Sequence, residues 1–497
     1  MVEALQTLET GWAEIADLGH AAAVLEWDQL VHMPAGGAAG RGEQLATLRR
    51  LAHERLTSPA LAAALAEAEA RPGLGAQSRA WLRVARRERD RAARVPAALV
   101  AELSRAGTAG YFAWVEARRR SDFAGFAPSL QRLLDLTRQY ADALGHAGQR
   151  YDALLAGHEP GLRTERLQGL FTELRQALVP LIAAIAARPP LPDAALRRPL
   201  AEAAQQRAGE AAITAFGYDW GRGRQDRSVH PFSTSFGSGD CRITTRVDAA
   251  DFAVAFYATL HEAGHALYEQ GLPEAWSRGP LGQAASTGVH ESQSRFWENC
   301  VGRSAAFWQH FAPLLGALAP EAFAEATPDA LYRASNVVRP SLIRVEADEV
   351  TYSLHVALRF DLELRLLSGD LAVADLPAAW NDGMEQALGI RPQADREGCL
   401  QDVHWSGGSF GYFPSYTLGS VLAAQWLQSM GASLGDPAAL IRRGEFAPIL
   451  AWLREHIHGR GAVLQPEELA AEVTGGPIAA APYIRYLRAK YTELYGL

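Results

Sequence analysis

Apolar side chains recur at three- and four-residue spacing along most of the chain, which is the pattern of amphipathic helices. The clearest helical segments are residues 3–30, 41–57, 59–70, 76–105 and 124–145. The breaks between such segments are short and rich in Pro and Gly. The bias toward Ala, Leu, Arg and Glu also favours helices. We therefore predict a mainly α protein.

One stretch, residues 228–247, departs from the helical pattern. It is rich in Ser, Thr, Phe, Ile and Val around Gly237-Ser-Gly-Asp, which predicts a β-hairpin. Two interpretations are open. The hairpin is a structural element, or its exposed strand edge holds an extended peptide through main-chain hydrogen bonds.

The composition is that of a globular protein: 48% of the 497 residues are hydrophobic and 21% are charged. The formal net charge of −8 gives no overall basic field for nucleic acid or a membrane surface. The three cysteines are widely spaced, which is typical of reduced structural thiols. No apolar run approaches the length of a membrane span, and residues 1–14 lack the pattern of a signal peptide. We therefore expect a cytoplasmic protein. The Pro-rich stretch at 188–193 is either a domain linker or, because it is short, a surface loop.

Residues 261–265 read His-Glu-Ala-Gly-His. On a helix, His261 and His265 are four residues apart and project from one face, so both imidazoles can bind one Zn²⁺ ion. Glu262 lies beside them and is our candidate general base toward water. We expect this helix to be N-capped by Asp248 and to end at Gly271.

A catalytic zinc site needs a third protein ligand. The pattern that places a third histidine six residues after the second fails, because position 271 is Gly. A glutamate on the next helix is the remaining choice. We select Glu291, 26 residues past His265, over Glu269 and Glu298. His290 is expected to be a neighbour of the site and not a fourth ligand.

Several motifs occur together in a fixed order. They are His-Pro-Phe at 230–232, Asp-x-Arg-x-Thr at 240–244, His-Glu-x-x-His at 261–265, His-Glu-Ser-Gln at 290–293, Ile-Arg-x-x-Ala-Asp at 343–348 and Gly-x-x-Gln-Asp-x-His-Trp at 398–405. With this set, the chain resembles the M32 metallocarboxypeptidases, the carboxypeptidase Taq family. Residues 26–29 and 411–416 also resemble that family, so the likeness extends over nearly the whole chain.

The resemblance implies a large helical metallopeptidase fold with a deep central groove and a small β-sheet beside the metal. It implies one peptidase domain over residues 1–497, with residues 1–200 forming a groove wall and residues 201–497 the catalytic part. It further implies a homodimer that removes single amino acids from the C-termini of peptides, with broad specificity and poor cleavage next to proline. The metal is expected to be Zn²⁺, with Co²⁺ possible.

Peptide hydrolysis also needs donors for the oxyanion. His404 is our candidate, together with Tyr412 and Tyr416 on the turn that follows it. The resemblance places His404 and one of these tyrosines in the groove, and the sequence leaves open which tyrosine serves.

A carboxypeptidase must bind the terminal carboxylate of its substrate, which an arginine can do with two parallel hydrogen bonds. Arg344 is the candidate. We expect it on a helix running from Pro340 to Gly369, with Asp348 and Tyr352 on the same face. The rival is Arg242, which with Asp240 is implied by the resemblance to shape the groove.

Other functions fit less well. A zinc aminopeptidase would carry Gly-x-Met-Glu-Asn upstream of the two histidines, and this segment is absent. An oligo-endopeptidase of the same metal class shares the expected features, and a requirement for a free carboxylate would separate the two. A catalytically inactive peptide-binding protein is the third alternative.

Overall fold

The computed structural model describes residues 2–497, with side chains from residue 5 onward. It is 69% helical and carries one small three-stranded sheet, so the predicted mainly α fold is confirmed. The first helices are α1 Val2–Val31, α2 Ala38–Leu56, α3 Pro59–Glu69, α4 Ala76–Arg94, α5 Ala97–Arg120, α6 Phe123–Leu144, α7 Arg150–Leu155, α8 Thr164–Ala186 and α9 Glu202–Phe216. The strands are β1 Gln225–Arg227, β2 Ser233–Ser235 and β3 Cys241–Thr245. The later helices are α10 Phe252–Glu269, α11 Thr287–Arg295, α12 Ala305–Leu318, α13 Pro320–Phe323, α14 Pro328–Ala334, α15 Tyr352–Ser368, α16 Leu376–Leu388, α17 Pro414–Leu434, α18 Pro437–Arg442, α19 Ala447–His456, α20 Pro466–Thr474 and α21 Ala480–Tyr495.

The chain forms two compact units, and each is assembled from three separate segments. Unit 1 comprises residues 1–93, 192–335 and 423–477, and unit 2 comprises residues 94–191, 336–422 and 478–497. One boundary falls inside the Pro-rich stretch at 188–193, which has no regular secondary structure. The expectation of a single peptidase domain divided near residue 200 stays a prediction.

Unit 1 contains the sheet and α10, the helix on which the His-Glu-x-x-His motif lies. Its N-terminal part is held by a core between α1 and α3, in which Leu8, Leu61 and Leu65 are almost fully buried. The central strand β3 pairs antiparallel with β2 and parallel with β1. The predicted hairpin is therefore correct. We missed β1 because Gln-Asp-Arg has no apolar alternation.

Unit 2 is helical. Among the described residues, α8 is the one helix long and apolar enough to cross a membrane by length and composition, and 44% of its most apolar stretch of 18 residues is buried inside the protein. Leu167, Phe171 and Leu174 of α8 are fully buried. The helix contacts α15 and α21, as a core helix does.

Several predicted helix boundaries are wrong. The segment 76–105 is two helices, because Pro96 caps α5 and has no N–H with which to continue α4. The N-cap of α10 is Asp251, whose carboxylate accepts a hydrogen bond from the backbone N–H of Ala253 at 3.0 Å. Asp248 instead accepts from the N–H of Ala250, in a turn before the helix.

The predicted helix from Pro340 to Gly369 begins later, at Tyr352, and ends with Gly369 as its C-cap. Asp348 explains the difference, because its carboxylate accepts hydrogen bonds from the backbone N–H groups of Val350 and Thr351. This side chain organises a turn in place of a helix. Arg344 lies in a separate short 3₁₀ turn, Arg344–Glu346.

Candidate functional site

The two helices of the metal motifs pack with their backbones in contact at Gly264. A Cβ atom at this position would lie 2.5 Å from the carbonyl oxygen of Gln293 and 2.6 Å from the Cα of Ser294. Both distances are too short for any side chain. The glycine between the two histidines therefore lets α11 approach α10 closely. Ser286 fixes the start of α11 by accepting a hydrogen bond from the N–H of Val289 at 3.0 Å.

This contact brings His261, His265 and Glu291 together, with one ligand atom from each within 4.8 Å of the others. The Oε2 atom of Glu291 lies 3.3 Å from Nε2 of His265 and 3.7 Å from Nε2 of His261. Two imidazole nitrogens and a carboxylate oxygen are the ligand set of a catalytic zinc site. The three side chains that the sequence predicts as ligands thus converge, and the set fits a divalent metal ion.

The Nδ1 atoms of both histidines face other side chains, which leaves the Nε2 atoms for a metal. Nδ1 of His261 lies 2.9 Å from Oε2 of Glu298. Nδ1 of His265 lies 2.6 Å from Nδ1 of His290, whose Nε2 in turn lies 2.8 Å from Oε1 of Glu269. His290 is therefore a neighbour, as predicted. Such outer partners fix the tautomer and the ring orientation of histidine ligands.

Glu291 is itself held on both oxygens. Arg295 donates to Oε1 at 2.7 Å, and the Ser294 hydroxyl donates to Oε2 at 3.0 Å. Burial opposes ionisation of this carboxyl, but Arg295 and His261 hold the pKa of Glu291 well below its usual range. Glu291 is therefore ionised, which is the form that binds a cation.

Glu262 is buried beside this cluster. Its side chain accepts no hydrogen bond from the described residues, and burial raises the pKa of Glu262 to about 7. A carboxyl poised near neutral pH is suited to take up and release a proton.

On the hairpin, Arg242 and Asp240 form a pair joined by two hydrogen bonds, from Nε at 2.8 Å and from Nη2 at 2.7 Å. The guanidinium of Arg242 also stacks on Trp27 of α1, 4.3 Å from the ring centre. No local pattern in the sequence predicts this contact between Trp27 and the hairpin. The two predicted residues, Asp240 and Arg242, are therefore partners of each other within unit 1.

A polar pocket of about 340 Å³ lies along strand β2. Its lining residues are His20, Ser233, Thr234, Ser235, Gly237, Ser238, Glu269, Leu272, Pro273, Ser277, Gly282 and Gln283. The carbonyl of Phe232 accepts a hydrogen bond from the N–H of Thr244 in β3, and the N–H of Phe236 donates to the carbonyl of Asp240 in the turn. By antiparallel alternation, the main-chain groups of Ser233 and Ser235 point away from β3. The pocket is thus bordered by a strand edge and by Glu269, the partner of His290.

In unit 2, Asp402 lies between two buried arginines. Arg344 donates to Oδ1 from Nε at 3.0 Å and from Nη2 at 2.8 Å, and Arg359 donates to Oδ2 from Nε at 2.6 Å. Arg344 also donates to the Tyr352 hydroxyl at 3.0 Å. The expected proximity of Arg344 and Tyr352 is correct, although they do not share a helix. Arg344 is 5% exposed, so most of its guanidinium faces protein.

His404 begins a 3₁₀ turn, and its Nε2 lies 3.1 Å from the hydroxyl of Tyr416 at the start of α17. Burial lowers the pKa of His404 to about 4, so its imidazole is neutral near pH 7. The ring of Tyr412 lies 5.6 Å from the ring of His404 and 5.0 Å from that of His158. The three predicted donors are therefore close together in unit 2.

From the sequence we missed the side chains that orient the candidate residues of the metal site and the ion pairs of Asp402. Glu298 is seven residues after Glu291 and Arg295 is four, a spacing that puts them on one helical face. That signal was present in the sequence. The link from Glu269 to His290 and the role of Arg359 depend on tertiary packing, and no local pattern indicates them.

A helical fold in which a His-Glu-x-x-His helix packs on a helix with a third ligand defines a class of proteins, the metallopeptidases. A family model, carboxypeptidase Taq (M32) metallopeptidase, matches residues 7–491. The chain belongs to this family and is a metallocarboxypeptidase.

Known relatives match this chain over nearly the whole length of both sequences. The chain is 43% identical to thermostable carboxypeptidase 1 of Thermus thermophilus, over 99% of each chain. The crystal structure of the M32 carboxypeptidase from Deinococcus radiodurans R1 is 44% identical, with a TM-score of 0.97 over 100% of both chains. Metallocarboxypeptidase 1 of Trypanosoma cruzi is 34% identical, with a TM-score of 0.94 over 99% of this chain and 100% of that one.

Proposed function

We propose that this protein is a zinc carboxypeptidase that releases single amino acids from the C-termini of peptides, with broad specificity and poor cleavage next to proline. The observation that carries the proposal is the convergence of His261, His265 and Glu291 beside the buried Glu262. When bound there, a divalent cation would polarise the scissile carbonyl and make a water molecule more acidic.

Glu262 takes the proton from the attacking water and passes it to the leaving amine. Its burial supports this role, because a pKa of about 7 lets the carboxyl exchange a proton in both directions near neutral pH. Glu262 is adjacent to His261 in the chain, which places it at the rim of the ligand set without making it a ligand.

Arg344 binds the terminal carboxylate of the substrate. A guanidinium has five N–H donors, and the described contacts use three of them, two toward Asp402 and one toward Tyr352. The remaining two, on Nη1 and Nη2, can serve a carboxylate. Asp402 fixes the plane of the guanidinium so that little side-chain freedom is lost on binding.

His404 and Tyr416 donate hydrogen bonds to the oxyanion. The contact between His404 Nε2 and the Tyr416 hydroxyl supports a shared task for this pair. Tyr412, which packs on His404, stays the alternative donor. The free edge of β2 binds the peptide main chain, and Asp240 with Arg242 gives the hairpin a fixed shape.

Three further features belong to the proposal. The metal is Zn²⁺, which two imidazoles and a carboxylate favour, with Co²⁺ as a possible replacement. The protein is a homodimer, on the strength of its resemblance to the family. It works in the cytoplasm on peptides, which is supported by three buried cysteines in the free thiol form.

The test uses one peptide in two forms, with a free C-terminal carboxylate and with a C-terminal amide, incubated with metal-loaded protein and followed by mass spectrometry. We expect a ladder of products shortened from the C-terminus in the free-acid form only. The Glu262→Gln variant keeps the ligand set and is expected to yield no ladder.

Internal cuts in both forms would instead make the protein an oligo-endopeptidase and would remove the role of Arg344. Absence of cleavage with bound metal would favour an inactive peptide-binding protein. Metal content by mass spectrometry and molar mass by sedimentation test the zinc and homodimer proposals separately.

A further inference from the structure

A buried carboxylate in α15 joins the two ends of the segment that carries His404 and Tyr412. Oε1 of Glu363 accepts a hydrogen bond from Nε1 of Trp405 at 2.9 Å. Oε2 accepts from the backbone N–H of Gly411 at 3.1 Å and from the hydroxyl of Tyr151 at 2.8 Å. Glu363 is fully buried, and the described residues give it no salt bridge.

The donors to Glu363 are the immediate neighbours of the candidate catalytic groups. Trp405 follows His404, and Gly411 precedes Tyr412. The Nδ1 atom of His404 is buried and has no hydrogen-bond partner among the described residues. The ring of His404 is therefore hydrogen-bonded to Tyr416 alone among the described residues, and the next residue, Trp405, is held through its indole by Glu363.

The same segment is tightly packed from other sides. A Cβ atom at Gly411, whose φ is 84°, would lie 2.9 Å from the Cβ of Leu154. A Cβ at Gly110 would lie 2.6 Å from the carbonyl oxygen of Ser406. Because the segment is packed closely on these sides, we expect a change in the length or charge of residue 363 to shift the segment itself.

We propose that Glu363 is a positioning residue that holds the segment from His404 to Tyr412 in place and so sets the position of His404 against Tyr416 for catalysis. The proposal rests on the proposed function, in which this pair donates to the oxyanion. Donors that act only in the transition state affect kcat and not the binding of substrate. Their misplacement therefore has a kinetic result that differs from a loss of folded protein.

The experiment compares, at pH 8, where Glu363 is ionised, full-length, metal-loaded wild type with Glu363→Gln, which keeps the size of the side chain and loses acceptor capacity. Trp405→Phe and Tyr151→Phe each remove one donor. The matched control is Asp361→Asn, the same chemical change on the same helix, where the carboxylate pairs with the partly exposed Arg175. Each variant is measured for kcat, KM, metal content, thermal midpoint, and inhibition by a phosphinic peptide that mimics the tetrahedral state.

We expect Glu363→Gln to lower kcat about 10- to 100-fold with KM changed less than about twofold. Inhibition by the phosphinic peptide should weaken by a similar factor, while inhibition by a product amino acid should not change. Asp361→Asn should match wild type. Trp405→Phe should lower kcat, and its effect should not add to that of Glu363→Gln.

A folded Glu363→Gln variant with kcat within about twofold of wild type overturns the positioning role. So does a loss of kcat that is matched by loss of metal or of folded protein. If Glu363→Gln does not fold, Trp405→Phe and Tyr151→Phe decide by the same criteria. If wild type cleaves peptides and kcat falls in Tyr416→Phe but not in the variants of Glu363 and its donors, this inference alone is refuted. Wild type that cleaves nothing refutes the proposed function.

Discussion

The carboxylate of Glu298 lies 2.9 Å from Nδ1 of His261 and so orients the Nε2 atom of this ring toward Glu291. Glu298 lies in a single π-helical turn, Phe296–Val301, that follows α11, and Arg303 donates to its other oxygen at 3.0 Å. We predict that Glu298→Gln weakens metal binding about 10- to 100-fold, because the amide orients the imidazole less firmly and makes it less basic. Competition with a chelator measures the affinity. Glu321→Gln, at an exposed position of unit 1, is the control. Equal affinities of the two variants would show that Glu298 does not support the site.

Gly264 gives a second prediction, because a methyl group there must displace the backbone of α11. We expect Gly264→Ala to lower the free energy of unfolding by about 1–3 kcal/mol or more and to reduce bound metal. Urea unfolding and metal analysis measure both. The control is Gly19→Ala in α1, where a Cβ atom meets no other atom within 4 Å. This variant should be slightly more stable than wild type, since alanine favours the helix. A Gly264→Ala protein as stable as the control would contradict the packing argument.

The ion pairs of Asp402 with its two arginines and of Asp240 with Arg242 should contribute differently to the free energy of unfolding. In Asp402→Asn, two buried arginines lose their counter-charge, and we expect a loss of about 3–5 kcal/mol. In Asp240→Asn, the side chains of the pair are 19% and 40% exposed, and we expect about 1 kcal/mol or less. The midpoints of urea unfolding rank the variants. Similar losses in both would mean that burial does not decide the strength of these pairs.

Glu363 predicts a pH dependence of stability. Burial raises the pKa of Glu363 from 4.5 to about 7, so between these values the folded protein keeps a proton that the unfolded chain has released. The contribution of Glu363 to the free energy of unfolding is therefore complete below pH 4.5 and is lost as the pH rises through 7. The change amounts to about 3 kcal/mol. Thermal midpoints of wild type and Glu363→Gln, measured from pH 5 to pH 8, isolate this contribution. A difference between the two that is constant with pH would contradict it.

Much of the fold follows from local patterns. The helical period, the capping residues and the alternation around Gly237 predicted most helices and the hairpin. The errors came from Pro96, which has no N–H, and from side chains that compete with the helix for backbone hydrogen bonds. Asp348 is one such residue, since its carboxylate ends the helical pattern before α15. The polar strand β1 forms because it pairs with β3, which is a contact between distant parts of the chain.

The candidate site was predictable to the extent that its spacing is helical. His261 and His265 are neighbours on α10, and the choice of Glu291 agrees with the group of side chains that converge there. The partners that hold these groups, such as Glu269 for His290, come from tertiary packing. The position of Arg344 was predicted with the wrong local structure, although its contact with Tyr352 was foreseen. The roles of the individual residues stay predictions until the variants are measured.

The division of each unit into three chain segments has a consequence for biosynthesis. When the first 477 residues have left the ribosome, unit 2 still lacks residues 478–497. Among these, Lys490 supplies the ammonium that lies 2.8 Å from Oε2 of the buried Glu349. Until it arrives, that carboxylate has no counter-charge and the helices of unit 2 expose apolar surface. Unit 2 therefore cannot complete its fold until residues 478–497 have been synthesised, and until then its exposed apolar surface favours aggregation.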